Sequence, residues 1–188
     1  MILPIVGYGH PTLRKVAEPI DSNFKDIKQL VSDMFETMYA ADGVGLAAPQ
    51  VDLPIQVIVI GVPQYDEENK SYSDTLEEHV MINPVIIESK GAQHYYNEGC
   101  LSLPGIHEEV LRPDRIVVRY LDTEFKEHVE EIDGMYARIA QHEIDHLNGK
   151  VFTDRLTPIR KAMVKRKLSE ISAGHYQTSY RMQPLKKK

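Results

Sequence analysis

Residues 141–149 read Gln141-His142-Glu143-Ile144-Asp145-His146-Leu147-Asn148-Gly149 and carry the chain's most specific chemistry. On a helix, positions four apart share a face, so His142 and His146 can bind the same ion. Glu143 is turned about 100° from His142, near enough to reach a ligand of the metal without being one. In a metal-dependent hydrolase a carboxylate at that place manages the protons of a water. The bland alternative is a solvated helix face that happens to carry two histidines. With eight histidines in the chain, a chance match to the three fixed positions is worth roughly a few per cent. The motif alone names no reaction.

Two histidines do not complete a catalytic metal site, which usually has three protein ligands and one open position. Downstream, the place where some zinc proteases put a third histidine holds Phe152. Glu170 is the only acidic residue after Asp154, and it follows a basic, surface-like stretch. Upstream stands Cys100, the only cysteine, with Gly99 before it and the turn-forming Pro104-Gly105 after it. A lone cysteine is more often a small buried hydrophobe. Beside an unfinished metal site, a glycine-flanked thiol reverses that preference. Cys100, His142, His146 and a water make a tetrahedral site with one position free for chemistry. The other six histidines are scattered and carry no such pattern.

The elements that must position these residues follow from periodicity. Ile27, Leu30, Val31, Met34, Phe35 and Met38 recur at helical spacing, which predicts a helix from Ser22, capped by Asp21 or Ser22 and ended by Gly43. Residues 43–50 are rich in glycine and alanine, a backbone that something approaches closely. They lack the Gly-Lys-Ser/Thr ending of a phosphate loop. Residues 56–62 form a β-branched strand, and residues 63–79, with their charge run, a solvated loop. Residues 79–87 form a strand with an edge or bulge at Asn83-Pro84, and residues 91–96 another. Residues 114–121 and 124–132 alternate as a pair joined at Asp122-Thr123. Asp133 caps the helix that carries the histidines, and Gly149 ends it. Met135, Ile139, His142 and His146 form one stripe on that helix, which sets the imidazoles against the core. Thr157-Pro158 caps a last helix bearing Arg160, Lys161, Lys165, Arg166 and Lys167. Residues 174–188 read as a loose tail.

These elements give an α+β fold, with antiparallel or mixed β-sheets packed around a central metal-binding helix between an N-terminal and a C-terminal helix. Residues 1–156 are expected to form the catalytic domain, and residues 157–188 a basic helix with a flexible tail. The 188 residues, 42% hydrophobic and 27% charged, indicate neither disorder nor a membrane span. A net charge of -6 argues against a general or sequence-specific nucleic-acid binder. The first six residues do not make a signal peptide, so the expected location is cytoplasmic. One cysteine cannot form an internal disulfide.

Three segments together resemble the peptide deformylase family: Gly43-Val44-Gly45-Leu46-Ala47-Ala48-Pro49-Gln50, then Glu98-Gly99-Cys100-Leu101-Ser102, then Gln141-His142-Glu143-Ile144-Asp145-His146. Many members carry an acidic residue and then a basic one after the second motif's proline, where this chain has Gly105 and His107. The resemblance implies hydrolysis of the formyl group of N-terminal formylmethionine on nascent polypeptides, releasing formate. Glu143 fits the general base and acid. By resemblance, the Gln50 amide and the Leu101 N–H stabilise the oxyanion, and Gly45 lets the substrate backbone approach. Val44, Met135 and Ile139 are candidates for the methionine pocket. One thiolate and two imidazoles suit zinc (Zn2+), whereas the family implies ferrous iron (Fe2+), replaceable by nickel (Ni2+), cobalt (Co2+) or zinc. The basic final helix resembles one that docks on the ribosome in bacterial members; a plain solvated face is the competing reading. The rivals are a metalloprotease built on the same helix and a metal-holding protein without turnover.

Overall fold

The computed structural model describes residues 1–66 and 70–183, excepting the side chains of residue 66 and residues 72–74. In chain order it contains β1 (Ile5–Val6), α1 (Ile27–Ala40), β2 (Gly45–Ala47), β3 (Val57–Asp66), β4 (Ser71–Glu98), β5 (Glu108–Leu121), β6 (Glu127–Asp133), α2 (Gly134–Leu147), α3 (Pro158–Ser172) and β7 (Met182–Gln183). Strands β2 to β6 form one antiparallel sheet in sequence order. A parallel pair, β1 with β7, joins the two ends of the chain. The expected α+β architecture around a central helix is therefore present. Among the described residues, no helix is long and apolar enough to cross a membrane.

Strand β3 shows why the sheet is covered on both faces. Ile58 and Ile60 join the core against Ile139, Ala140 and Ile144 of α2. Val57 and Val59, pointing the other way, join Met34 and Met38 of α1. All four strand residues have no exposed surface, so a continuous β-branched run suits a two-sided position. Fully burying each such side chain is worth roughly 1.5–3 kcal/mol. Helix α2 is consequently buried from Ala137 to Leu147, and its functional side chains are held in packed surroundings.

Several local expectations shift. Helix α1 starts at Ile27 behind Asp26, which sits in the left-handed region at φ 59° with no side-chain cap. Its end agrees with the expectation at Gly43, whose N–H donates to the Met38 carbonyl at 2.9 Å. The predicted loop is a long hairpin: Gly61 pairs with Glu78, Val62 with Glu77 and Pro63 with Leu76. Glu77 and Glu78 are exposed on that ladder, so composition resembled a loop; residues 67–69 of that expectation lie outside the described residues. The two strands expected between residues 79 and 96 are one strand, β4, bent by a register shift between Ile82 and Val85. Asn83, at φ 51°, holds that bulge with both amide atoms on the backbone of Ile20. Asp133 stands at the N-cap of α2 without a capping hydrogen bond. Thr157 does cap α3, accepting from Arg160 N–H. Residues 174–183, expected to be loose, run back to the body and end in β7; residues 184–188 lie outside the described residues.

Candidate active site

Cys100 stands two residues past the end of β4, after Gly99, while His142 and His146 project from α2. One ligand atom from each lies within 4.8 Å of the others. The Cys100 Sγ is 3.3 Å from His146 Nε2, and His142 Nδ1 is 2.9 Å from Glu98 Oε2. Burial pushes the Glu98 carboxyl up, but hydrogen bonds from His142 and Arg112 outweigh it and hold the pKa at about 2. An ionised carboxylate can only accept, so Nδ1 of His142 carries a hydrogen, and Nε2 is the nitrogen left for a metal, which would displace any proton there.

The support behind His142 is a buried chain of alternating charge. Arg112 donates to both oxygens of Glu98, at 2.7 and 2.9 Å, and to Asp145 Oδ2 at 2.7 Å. Arg138 adds a third bond to Glu98, at 3.1 Å. Arg155 grips Asp145 with two bonds of 2.6 Å. Arg112 has no exposed surface at all, a position tolerable only because both its neighbours are carboxylates. Glu98, Arg112, Arg138, Asp145 and Arg155 are functional neighbours that no sequence pattern singled out.

Gln50 arrives from the turn after β2. Its Oε1 accepts from Ala47 N–H at 2.8 Å, which fixes the amide so that Nε2 faces Cys100 Sγ at 3.5 Å and Ser102 Oγ at 3.3 Å. Gly45 lies on β2 beside α2. A β-carbon there would fall 2.8 Å from Ile139 Cγ2 and 2.9 Å from Glu143 Cδ. The glycine is thus required by the close packing of helix α2, a reason additional to any substrate approach. Gly99 is similar: a β-carbon would meet His107 Nε2 at 2.7 Å.

Gln50, Cys100, Leu101, His142 and Glu143 line one cavity of about 610 Å³, and Val44, Gly45, Met135 and Ile139 line it too. His146 is fully buried behind it. Every site residue expected from the sequence is therefore gathered at one place. Burial pushes the Glu143 carboxyl up to about 7, against the pull of His142. Its Oε2 has no hydrogen-bond partner among the described residues. Burial disfavours charge on both imidazoles, yet hydrogen bonds with Cys100 and Glu98 hold His142 well above the usual histidine range. Burial and the charge on His142 push His146 well below it. A thiol and two imidazoles with converging ligand atoms fit a divalent metal of borderline softness. Cys100 and His142 border the cavity, so an ion held there faces the space a substrate would fill.

Residues 2–162 match the family model of polypeptide deformylase. The chain belongs to the peptide deformylase family. It is 50% identical over 188 residues to the peptide deformylase of Cytophaga hutchinsonii, covering all of both chains. It is 41% identical over 193 residues to that of Flavobacterium psychrophilum, again over the whole of both. Among solved structures, the deformylase of Thermus thermophilus superposes with a TM-score of 0.80 at 41% identity, covering 93% of this chain and 99% of that one. The Legionella pneumophila deformylase gives 0.78 at 38% identity, covering 92% and 96%. As a deformylase, the protein is a hydrolase with a candidate metal site formed by Cys100, His142 and His146.

Proposed function

We propose that the protein removes the formyl group from the N-terminal formylmethionine of nascent polypeptides, releasing formate and a free amine. The observation that carries this reading is the convergence of Cys100, His142, His146, Gln50 and Glu143 on one cavity. Cys100, His142 and His146 would hold a divalent ion, which would supply Lewis acidity for activating water and polarising a carbonyl. Glu143 takes the proton from the attacking water and returns it to the departing amine. Gln50 Nε2 and the Leu101 N–H donate to the oxygen that gains charge as the carbonyl carbon becomes tetrahedral. Glu98 keeps His142 in the ligating tautomer. Gly45 leaves room for Glu143 and for the backbone of the substrate, while Val44, Met135 and Ile139 receive the methionine side chain.

Ferrous iron is the proposed ion in the cell, with zinc, nickel or cobalt as substitutes. Residues 1–156 hold all the groups given chemical roles here, and residues 157–188 add the basic helix and tail. The cytoplasm, where nascent chains emerge, is the proposed location. Lys161, Lys165, Arg166 and Lys167 are exposed on α3, which supports docking on the anionic ribosome. Ribosome co-sedimentation unaffected by Lys161→Glu with Lys165→Glu would remove that part.

The reaction is tested by purifying the protein without oxygen, loading each metal, and offering formyl-Met, acetyl-Met and unmodified Met peptides. Formate from the first alone is expected. Cleavage inside the unmodified peptide would favour the metalloprotease, and no turnover with any metal would favour a binding protein.

A further inference from the structure

After α3 the chain turns at Gly174, at φ 80°, and returns to the wall of the site. Gln177, Thr178, Ser179 and Tyr180 line the same cavity as Glu143 and Gln50. Tyr180 donates its phenolic O–H to the Leu101 carbonyl at 2.7 Å, and its ring belongs to the same apolar cluster as Leu101. The next carbonyl along, Ser102, accepts from Tyr8 N–H at 2.8 Å. Two successive carbonyls beyond Cys100 are thus held by groups from opposite ends of the chain. Those ends are themselves joined. Ile5 N–H donates to the Arg181 carbonyl at 3.0 Å, and β1 pairs with β7 in the register Ile5 to Met182 and Val6 to Gln183. Gln183 also reaches Asp52, two residues beyond Gln50, at 3.4 Å.

We propose that Tyr180 is a positioning residue for the oxyanion site, acting through the Leu101 backbone. This rests on the deformylase reading, in which the Leu101 N–H meets the developing oxyanion. On one side of that N–H the Cys100 carbonyl accepts from Leu103 N–H at 2.9 Å, and on the other the Tyr180 hydrogen bond fixes the Leu101 carbonyl. Between two fixed points Leu101 has little torsional freedom, and its N–H is aimed before substrate arrives. Preorganised aim is what makes such a donor effective, since a donor that must reorient during reaction loses much of its advantage. Tyr180 is held in turn by its place two residues before β7, so the C-terminal segment completes the site from outside the three motifs.

The test is Tyr180→Phe, which removes only the hydroxyl, with Tyr176→Phe as the same deletion elsewhere in the segment. On a formyl-Met peptide, Tyr180→Phe is expected to lower kcat by roughly three- to tenfold, a loosened donor costing less than an absent one. KM and metal content should stay near wild type, and Tm should fall by no more than roughly 2–4 °C, as for one hydrogen bond in a domain of this size. Amide exchange at Leu101 should quicken, and Tyr176→Phe should match wild type. An unchanged kcat in Tyr180→Phe overturns the assignment, as does a loss confined to KM or one shared equally by Tyr176→Phe. A wild-type protein inactive with every metal overturns the deformylase reading and this assignment with it. An active wild type with an indifferent Tyr180→Phe overturns the assignment alone.

Discussion

The backbone of Gly45 lies directly against the side chain of Glu143, with no space between them for a β-carbon. The strand that carries the first motif and the helix that carries the third are therefore fitted to each other at the proposed proton carrier. Gly45→Ala should displace the carboxylate while leaving the metal ligands in place. Because a misplacement of about 1 Å can cost 10²-fold, kcat/KM should fall by about that factor at unchanged metal content. Steady-state kinetics beside elemental analysis checks this, and near-wild-type turnover would show that the contact is not critical.

Glu98 has a different task, holding His142 by its Nδ1. Glu98→Gln removes the charge while keeping the shape. Loss of such a partner typically weakens metal binding by about 10–100-fold. Chelator competition with zinc should show a shift of that size, and an unchanged affinity would mean that packing alone orients the ring.

The same carboxylate predicts a pH dependence in the metal-free protein. Its pKa falls from an ordinary 4.5 to about 2 on folding. A depressed carboxylate contributes stability that is complete above the unfolded value and disappears as pH falls through the folded one. Denaturation midpoints of the metal-free protein should therefore drop between pH 4.5 and pH 2, more steeply for wild type than for Glu98→Gln. Parallel curves for the two would contradict the assignment.

Arg112 tests the buried charge chain as a whole. Arg112→Met leaves Glu98 and Asp145 without their shared cation, although Arg138 and Arg155 still reach them. Breaking a buried pair of this kind costs about 3–5 kcal/mol. Urea denaturation should find a loss of that order, and a loss under about 1 kcal/mol, the scale of a surface pair, would place the charges effectively in solvent.

These residues also mark the limit of what the sequence made legible. His142, His146 and Cys100 were visible because few other residues ligate metals and their spacing is strict. Gln50 and Leu101 were reached only through the resemblance, since an amide and a backbone N–H leave no chemical signature. Arg112 was missed because the strand was read only from Asp114, whereas β5 begins at Glu108, and its neighbours Glu108, Glu109, Asp114 and Arg115 break the apolar alternation there. Its parity held the clue: Val110, Arg112, Ile116, Val118 and Tyr120 all face inward from β5, and an arginine in such a row needs buried carboxylates. The long hairpin of β3 and β4 was mistaken for a loop because its ladder is exposed and polar. The tail's return to Leu101 depends on pairing between residues about 180 apart, beyond any local pattern.

The central claim is that Glu143 carries the proton in a metal-dependent deformylation, and Glu143→Ala tests it most directly. Wild type and variant, matched for bound metal, would be compared by formate release from a formyl-Met peptide. General acid–base catalysis is worth about 10²–10⁴-fold, so the variant should bind the metal fully and lose activity by at least about 10²-fold. Turnover by the metal-loaded variant at the wild-type rate would contradict the account.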